Sequence, residues 1–223
     1  MTKMSLGLLI RDEFKGFYKS KVMMVLWIGM PLLSLVISYL SPDTEEIPLS
    51  VFVSLMVSSL SGTLAAVMLS TTIVSEKERH VYDLFLIRPV KRWHLMFSKF
   101  VAVYVCIMIA TVLSILLGLV VDLIKTDIHV DILLDGLWDS LAVSMSTMAI
   151  SCSFSILIGL LVNSTMVAAI LAIYAGNQLS MVAVLPGIFF SEVNTVLYSL
   201  SVGIVLALIV NIAIAFVIDR KML

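Results

Sequence analysis

The sequence predicts an all-α, polytopic membrane protein with six transmembrane helices. Hydrophobic residues make up 61% of the 223 residues and charged residues only 13%, whereas a typical soluble domain carries about 25% charged residues. Uncharged runs recur along the chain at lengths near the roughly 20 residues that a helix needs to cross a bilayer. Lys and Arg are concentrated in alternate connections between these runs, as expected for loops retained on the cytoplasmic side.

The uncharged runs define the predicted order of the spans. They lie at 22–41, 48–74, 100–121, 138–162, 165–185 and 196–218. The fourth and fifth runs form one uncharged stretch of 52 residues from Ser140 to Ser191, which as a single helix would be about 78 Å long against a hydrocarbon core of about 30 Å. Asn163-Ser164-Thr165 offers side chains that cap the start of a new helix, so a tight hairpin is predicted there.

Positive charge predicts the orientation of these spans. Of the 14 Lys and Arg residues, all but Lys125 fall before the first span, between or bordering the second and third, or after the sixth. The opposite connections are short and mostly acidic. Because Lys and Arg are retained in the cytoplasm, we expect both termini to be cytoplasmic.

The first 21 residues predict an amphipathic helix that lies along the inner leaflet of the bilayer. Its apolar residues recur at helical spacing, and its basic residues fall on the other side. The apolar set is Leu6, Leu9, Ile10, Phe14 and Phe17, and the basic set is Arg11, Lys15 and Lys19. No signal peptide is expected, because the long apolar run starts only after Lys21 and no small-residue cleavage site follows. A docking role for a partner protein is compatible with the same pattern.

Composition argues against several classes of function. A net charge of −1 gives no basis for nucleic-acid binding, which needs clustered positive charge. Cys106 and Cys152 lie within apolar runs, where packing is their expected role, and His80, His94 and His129 are isolated in loops, which argues against a metal site. No glycine is followed by lysine, so the chain has no P-loop and is expected neither to bind a cofactor nor to hydrolyse ATP by itself. Ionisable groups are missing from the span interiors, which argues against a membrane-embedded enzyme.

Small and polar residues form a pattern inside the predicted spans. Small residues recur every four positions in three of them, which favours close helix packing. The rows are Ser50, Ser54, Ser58, Gly62, Ala66 and Ser70; Thr147, Ser151, Ser155 and Gly159; and Ala168, Ala172, Gly176 and Ser180. The six-member row drifts about 40° per step, so part of it, such as Ser58 and Gly62, is a candidate for lining a pathway or facing a second protomer. Asn177, Gln178 and Asn211 are the largest polar groups at depth, and either interhelical hydrogen bonds or a substrate route would explain them.

Charge is densest between the second and third spans, in SEKERHVYDLFLIRPVKRWHLMFSKF at 75–100. Val81, Leu84, Phe85 and Leu86 form a narrow apolar face at helical spacing. Pro89 ends or turns this helix, because it lacks an N–H and disfavours helix at the residue before it. A merely solvated loop is the alternative, but such a loop would not need Leu84 and Phe85.

This loop resembles the corresponding segment in the membrane subunits of type-two ABC transporters, the export-type permeases. In that family a Glu-Lys/Arg-Glu triplet after the second span is followed by Gly-Thr, an acidic residue, a Leu-rich turn, a proline and a basic pair. The matching residues here are Glu76, Lys77, Glu78, Asp83, Leu84, Phe85, Leu86, Pro89, Lys91 and Arg92. His80 and Val81 stand where Gly-Thr is usual. The layout of an interfacial helix, six spans and cytoplasmic termini extends the resemblance to the whole chain.

The resemblance implies a permease subunit of an ATP-binding cassette exporter in the plasma membrane of a prokaryote. Such a subunit forms the translocation pathway, pairs with a second permease subunit as a homodimer or heterodimer, and is not an enzyme by itself. Residues 75–99 would carry a coupling helix seated on a separate P-loop ATPase subunit, which would bind ATP and Mg. The family also implies a short dipping helix between spans five and six, and 186–195 is either that helix or an ordinary loop. A non-transporting scaffold or immunity protein, using the same loop to hold a partner, is the alternative.

Overall fold

In the described part of the chain all regular secondary structure is α-helix, which confirms the predicted all-α class. The computed structural model describes residues 6–40, 49–79, 92–125, 130–189 and 194–221. In these ranges seven helices follow one another: α1 (Leu6–Tyr18), α2 (Lys21–Leu40), α3 (Leu49–Glu78), α4 (Arg92–Lys125), α5 (Val130–Leu161), α6 (Thr165–Phe189) and α7 (Thr195–Lys221).

Each predicted span coincides with one helix from α2 to α7, but two helices begin earlier than predicted. α4 starts at Arg92 and α5 at Val130, whereas the uncharged runs start near 100 and 138. A charged residue is costly only inside the hydrocarbon, so a helix can continue through charged residues once it reaches water. The uncharged run therefore marks the membrane-crossing part of these helices and not the whole helix.

Length and composition identify several of these helices as able to cross a membrane. Over the described residues, Trp93–Val121, Leu137–Leu161 and Val196–Ile218 meet this criterion, and the bent pair of α1 and α2 is a fourth if it counts as one span. The protein is thus a multi-pass membrane protein by this measure. The predicted total of six spans and the orientation of the termini are not confirmed by it.

The N-terminal helix has the amphipathic character that the sequence predicts. Leu9 and Phe17 are buried, whereas Arg11, Lys15 and Lys19 are exposed. The chain bends by 68° between α1 and α2, which brings the apolar face of α1 against the start of α4. Much of that face is therefore used for packing within the protein.

The centre of the fold is the contact of α3 with α5, which α6 and α7 join from the side. The rows of small residues make this contact close. A Cβ on Gly176 of α6 would lie 3.3 Å from the Ala66 Cβ of α3, and the Ser155 hydroxyl of α5 donates a hydrogen bond to the Ala66 carbonyl. In a bilayer the hydrophobic effect does not drive helices together, so spanning helices associate by close packing, which small side chains allow. The predicted role of the rows in packing is confirmed at these positions.

Helix α2 is held mainly by α4. The Trp27 indole donates a hydrogen bond to the Cys106 carbonyl at 3.1 Å, and the Ser114 hydroxyl donates one to the Met30 carbonyl at 2.9 Å. Contact between α2 and α3 is sparse by comparison. An open space is left beside α3 as a result.

The hairpin predicted at Asn163-Ser164-Thr165 is present. α5 ends at Leu161 and α6 begins at Thr165, with the Ser164 carbonyl accepting a hydrogen bond from the Ala168 N–H at 2.9 Å. After this hairpin α6 runs on through Pro186 to Phe189. The first residues of the predicted 186–195 segment thus belong to α6 and not to a separate dipping helix. Residues 190–193 lie outside the described residues.

Candidate functional site

A buried lysine joins three helices. It lies at the end of the helix bundle that the distribution of Lys and Arg predicts to be cytoplasmic. The Lys99 side chain on α4 is only 3% exposed, and its Nζ lies 2.6 Å from Oε1 of Glu76 on α3 and 2.9 Å from Oε1 of Glu13 on α1. A buried ammonium is costly without a counter-charge, so these carboxylates are what allows Lys99 to be buried. The three side chains together fix α1, α3 and α4 relative to one another.

The next residue of α3 makes a different connection. The Lys77 Nζ donates hydrogen bonds to Oδ1 of Asn163 at 2.6 Å and to the Leu160 carbonyl at 3.3 Å. The last carbonyls of a helix lack partners within the helix and carry partial negative charge. Lys77 therefore caps α5 and ties the end of α3 to the α5–α6 hairpin.

The third residue of the predicted triplet faces outward. Glu78, the last residue of α3, is exposed, and so is Arg79. The remaining predicted coupling residues, Asp83, Leu84, Phe85, Leu86, Pro89 and Lys91, lie outside the described residues. Arg92 is the first residue of α4, and its side chain is likewise not described. The coupling role of all these residues stays a prediction.

The predicted pathway residues are not gathered at one place. Gly62 is buried within the bundle, where a Cβ would lie 3.3 Å from the Ser151 hydroxyl oxygen. Ser58 lies one turn earlier on α3, and its side chain is not described. The Asn211 amide on α7 donates to the Ala207 carbonyl at 2.7 Å and to the Ser153 hydroxyl of α5 at 3.3 Å. Asn211 thus makes an interhelical hydrogen bond, which was one of the two explanations that the sequence left open, and its role in a pathway stays a prediction.

Asn177 and Gln178 lie on the outer face of α6. Both are exposed, and Gln178 continues a row of exposed residues at intervals of four, the others being Met166, Ile170 and Tyr174. Residues at this spacing share one face of a helix. An apolar helix face thus ends in two amides that stand at the surface of this chain.

Sequence reasoning did not identify Glu13 as part of the site. A signal was nevertheless present, because Glu13 follows Leu9 by four residues and precedes Phe17 by four. It therefore shares the apolar stripe of α1. An acid on such a stripe needs a partner when the stripe is buried, and Lys99 is that partner.

The model of a known protein family matches the chain over residues 9–177, and the description of that family is ABC-2 family transporter protein. The chain belongs to the ABC-2 transporter family. The match starts in α1 and ends in α6, so it includes Glu13, Glu76, Lys77, Lys99 and Asn163. No curated protein matches the chain.

Membership in the ABC-2 family, together with helices that can cross a membrane, identifies the chain as a membrane component of an ABC transporter, with a permease role. Members of this family in general act with an ATP-binding subunit. The resemblance seen in the sequence is confirmed at the level of the family.

Proposed function

We propose that the chain is the permease subunit of an ATP-driven exporter, in which it forms the translocation pathway and couples to a separate ATPase subunit that binds ATP and Mg²⁺. One observation carries this proposal. At the base of the 80–91 segment, Glu76 is joined through Lys99 to α1 and α4, and its neighbour Lys77 is joined to the α5–α6 hairpin. A displacement of the end of α3 at Glu76 and Lys77 would thus be passed to most of the bundle.

The segment also has the chemistry of a docking element. Exposed Glu78 and Arg79 stand where α3 ends, and Leu84 and Phe85 follow in sequence with charges on either side. Interfaces typically combine a few buried apolar or aromatic anchors with a charged rim. In this proposal Leu84 and Phe85 are the anchors on the ATPase, and the neighbouring charges set the register.

The proposed topology has six spans with both termini in the cytoplasm. Helices α3 and α6 contain 30 and 25 residues, which correspond to about 45 Å and 37 Å at 1.5 Å per residue. Both lengths exceed the roughly 30 Å of a hydrocarbon core. Added to α2, α4, α5 and α7 they give six crossings, and the distribution of Lys and Arg gives the orientation.

A second permease subunit would complete the pathway. The outer face of α6 is apolar from Met166 to Tyr174 and then presents Asn177 and Gln178. Polar side chains in spanning helices usually face another helix or a water-filled cavity rather than lipid. We therefore assign this face to the contact with the second subunit, with the Gln178 amide lining the route between them.

Copurification tests the proposal most directly. The tagged chain is extracted from its native membrane in mild detergent, and the preparation is assayed for a P-loop ATPase and for vanadate-sensitive ATP hydrolysis. An ATPase whose rate depends on this chain is the expected result. A preparation without an ATPase partner, repeated in several detergents, would overturn the proposal and favour a scaffold role.

Charge reversal at Glu78 then tests the docking element. A lysine near the C-terminus of a helix interacts favourably with the helix dipole, so Glu78→Lys does not weaken α3. We expect the variant to insert normally and to lose at least half of the copurifying ATPase. Asp12→Lys, which reverses an exposed charge on α1, is the matched control and leaves the complex intact.

A further inference from the structure

An open cleft of about 490 Å³ lies between α1, the first turns of α2 and the C-terminal half of α3. It exists because α2 is hydrogen-bonded to α4, through Trp27 and Met30, and has little contact with α3. Its volume falls within the roughly 300–1,000 Å³ of small-molecule pockets. The size of the cleft therefore suits one small amphiphile.

The walls of the cleft change in character along α3. Leu64, Val67 and Met68 line it at one end together with Leu26 of α2, and Glu76 and Glu13 line it at the other. From Leu64 to Glu76 the helix rises about 18 Å at 1.5 Å per residue. The hydroxyls of Thr71 and Thr72 line the middle, but each donates to a carbonyl of its own helix, Val67 at 2.7 Å and Met68 at 2.6 Å. Besides the Ser20 hydroxyl, the polar character of the cleft is thus concentrated in the two carboxylates.

Charge is unbalanced at the acidic end. Glu13 and Glu76 both contact Lys99 through Oε1 and remain about one-fifth exposed, at 21% and 22%. Among the side chains that the structure describes, Lys99 is the cation paired with these carboxylates. The charges of these three described side chains sum to −1 beside an apolar wall. A partly desolvated negative charge is stabilised by one further positive group.

We propose that this cleft binds a single-chain amphiphile with an amine head group, drawn from the bilayer leaflet at which α1 lies. The ammonium group contacts Glu13 and Glu76, and the alkyl chain lies along Leu64, Val67 and Met68. The cleft lies on the opposite side of α3 from the α5–α6 contacts and uses none of the exposed α6 face. Binding requires neither the ATPase nor a second subunit, so this inference stands or falls separately from the proposed function.

Photolabelling in vesicles tests the proposal. The full chain is reconstituted in phosphatidylcholine vesicles without any ATPase and exposed to a dodecylamine that carries a diazirine in its chain. Dodecanol and dodecanoic acid with the same diazirine are the probes for the uncharged and anionic cases. We expect the amine to label peptides of α1–α3 at least threefold more than the other two. Equal labelling by all three probes would mean that the cleft merely fills with bilayer chains, and the proposal would be wrong.

Two pairs of variants locate the site. Glu13→Gln leaves Lys99 with Glu76, so the cluster becomes neutral, and labelling by the amine should fall about fivefold, the upper range for a partly exposed ion pair. Asp12→Asn removes the same charge from an exposed position of the same helix and should change labelling less than twofold. Unchanged labelling of Glu13→Gln would overturn the assignment.

The second pair leaves every charge in place. Gly16 lines the cleft. A Cβ added at Gly16, or at Gly7 on the same helix, would have no atom within 4 Å. Gly16→Leu should block labelling by the amine, whereas Gly7→Leu should not. Both changes raise helix propensity, so loss of labelling in the first alone cannot be attributed to unfolding. Equal labelling of the two variants would contradict the proposed position of the ligand.

Discussion

The Nζ of Lys77 lies 2.6 Å from Oδ1 of Asn163, which is 86 residues later in the chain. The same ammonium reaches the carbonyl of Leu160, so one side chain bridges the end of α3 to both the last turn of α5 and the hairpin that follows. Its neighbour Glu76 makes the corresponding bridge to α4 through Lys99. Successive residues on a helix point about 100° apart, which is how two adjacent residues serve two different parts of the bundle.

Lys77→Met should uncouple ATP hydrolysis from transport. The variant loses two hydrogen bonds from a charged donor and leaves Asn163 and the end of α5 without their partner, at a cost of about 1–2 kcal/mol. We expect a lower melting temperature in detergent, and ATP hydrolysis by the partner that continues while transport falls severalfold. Lys21→Met removes an exposed charge from the start of α2, away from the docking element, and serves as the control. Equal transport by the two variants would contradict the role given to Lys77.

Lys99→Met should be among the more destabilising single changes in the described chain. It leaves two carboxylates, each mostly buried, facing each other without the ammonium between them, and breaking a buried ion pair costs about 3–5 kcal/mol. Partial exposure of the carboxylates favours the lower end of that range. Thermal unfolding of the purified variant measures the loss.

Removing all three charges should restore most of this stability. In the combined variant Lys99→Met, Glu13→Gln, Glu76→Gln no uncompensated charge remains, and replacing a buried ion pair as a whole is often close to neutral. A combined variant as unstable as Lys99→Met alone would show that packing of the lysine side chain, and not charge balance, is what matters.

Gly203→Ala should weaken the contact between α7 and α5. A Cβ at this position would lie 2.8 Å from the Cβ of Ser146 and 2.9 Å from its Cα, so the helices must separate, and overpacking of this kind costs about 1–3 kcal/mol. Gly29→Ala is the control, because nothing lies within 4 Å of its Cβ and helix propensity favours alanine by up to about 1 kcal/mol. The two variants should shift the melting temperature in opposite directions.

Tyr174→Cys should form a disulfide between two copies of the chain if the α6 face pairs with a second identical subunit. Cys106 and Cys152 are both buried, so the background from native thiols is low. Oxidation in native membranes followed by non-reducing electrophoresis detects the dimer. Val25→Cys, on the exposed face of α2, is the control and should stay monomeric. Equal cross-linking at both positions would indicate random collision.

Local patterns in the sequence were enough to predict the helices and the hairpin. Asn163-Ser164 lies inside an uncharged run that is too long to cross the membrane once, and this reasoning needs no knowledge of any other part of the chain. The ends of α4 and α5 were harder to predict, because helices continue into water past the point at which uncharged residues stop. Bilayer thickness limits the length of the membrane-crossing part but does not limit the length of the whole helix.

Contacts between side chains on different helices could not be predicted in the same way. Glu76 and Lys77 were identified from a local motif, yet their contacts with Lys99 and Asn163 depend on how four helices approach one another. Glu13 carried a weak local signal, as an acid on an apolar stripe, but that stripe had been expected to meet lipid, where a counter-charge on another helix is not foreseen. An ion pair between residues far apart in the sequence can be predicted only when the packing of the helices is known.

The interior position of α5 has a consequence for how the chain is made. Its membrane-crossing part is 72% buried inside the protein, compared with 22% for that of α7. Several of its hydroxyls, including those of Ser144, Ser146 and Ser153, donate to carbonyls of their own helix. A helix of this composition gains less than its neighbours from entering lipid alone. We therefore expect α5 to be inserted together with α6, as a hairpin that docks on α3 during synthesis, so that early truncations ending before α6 leave α5 poorly inserted.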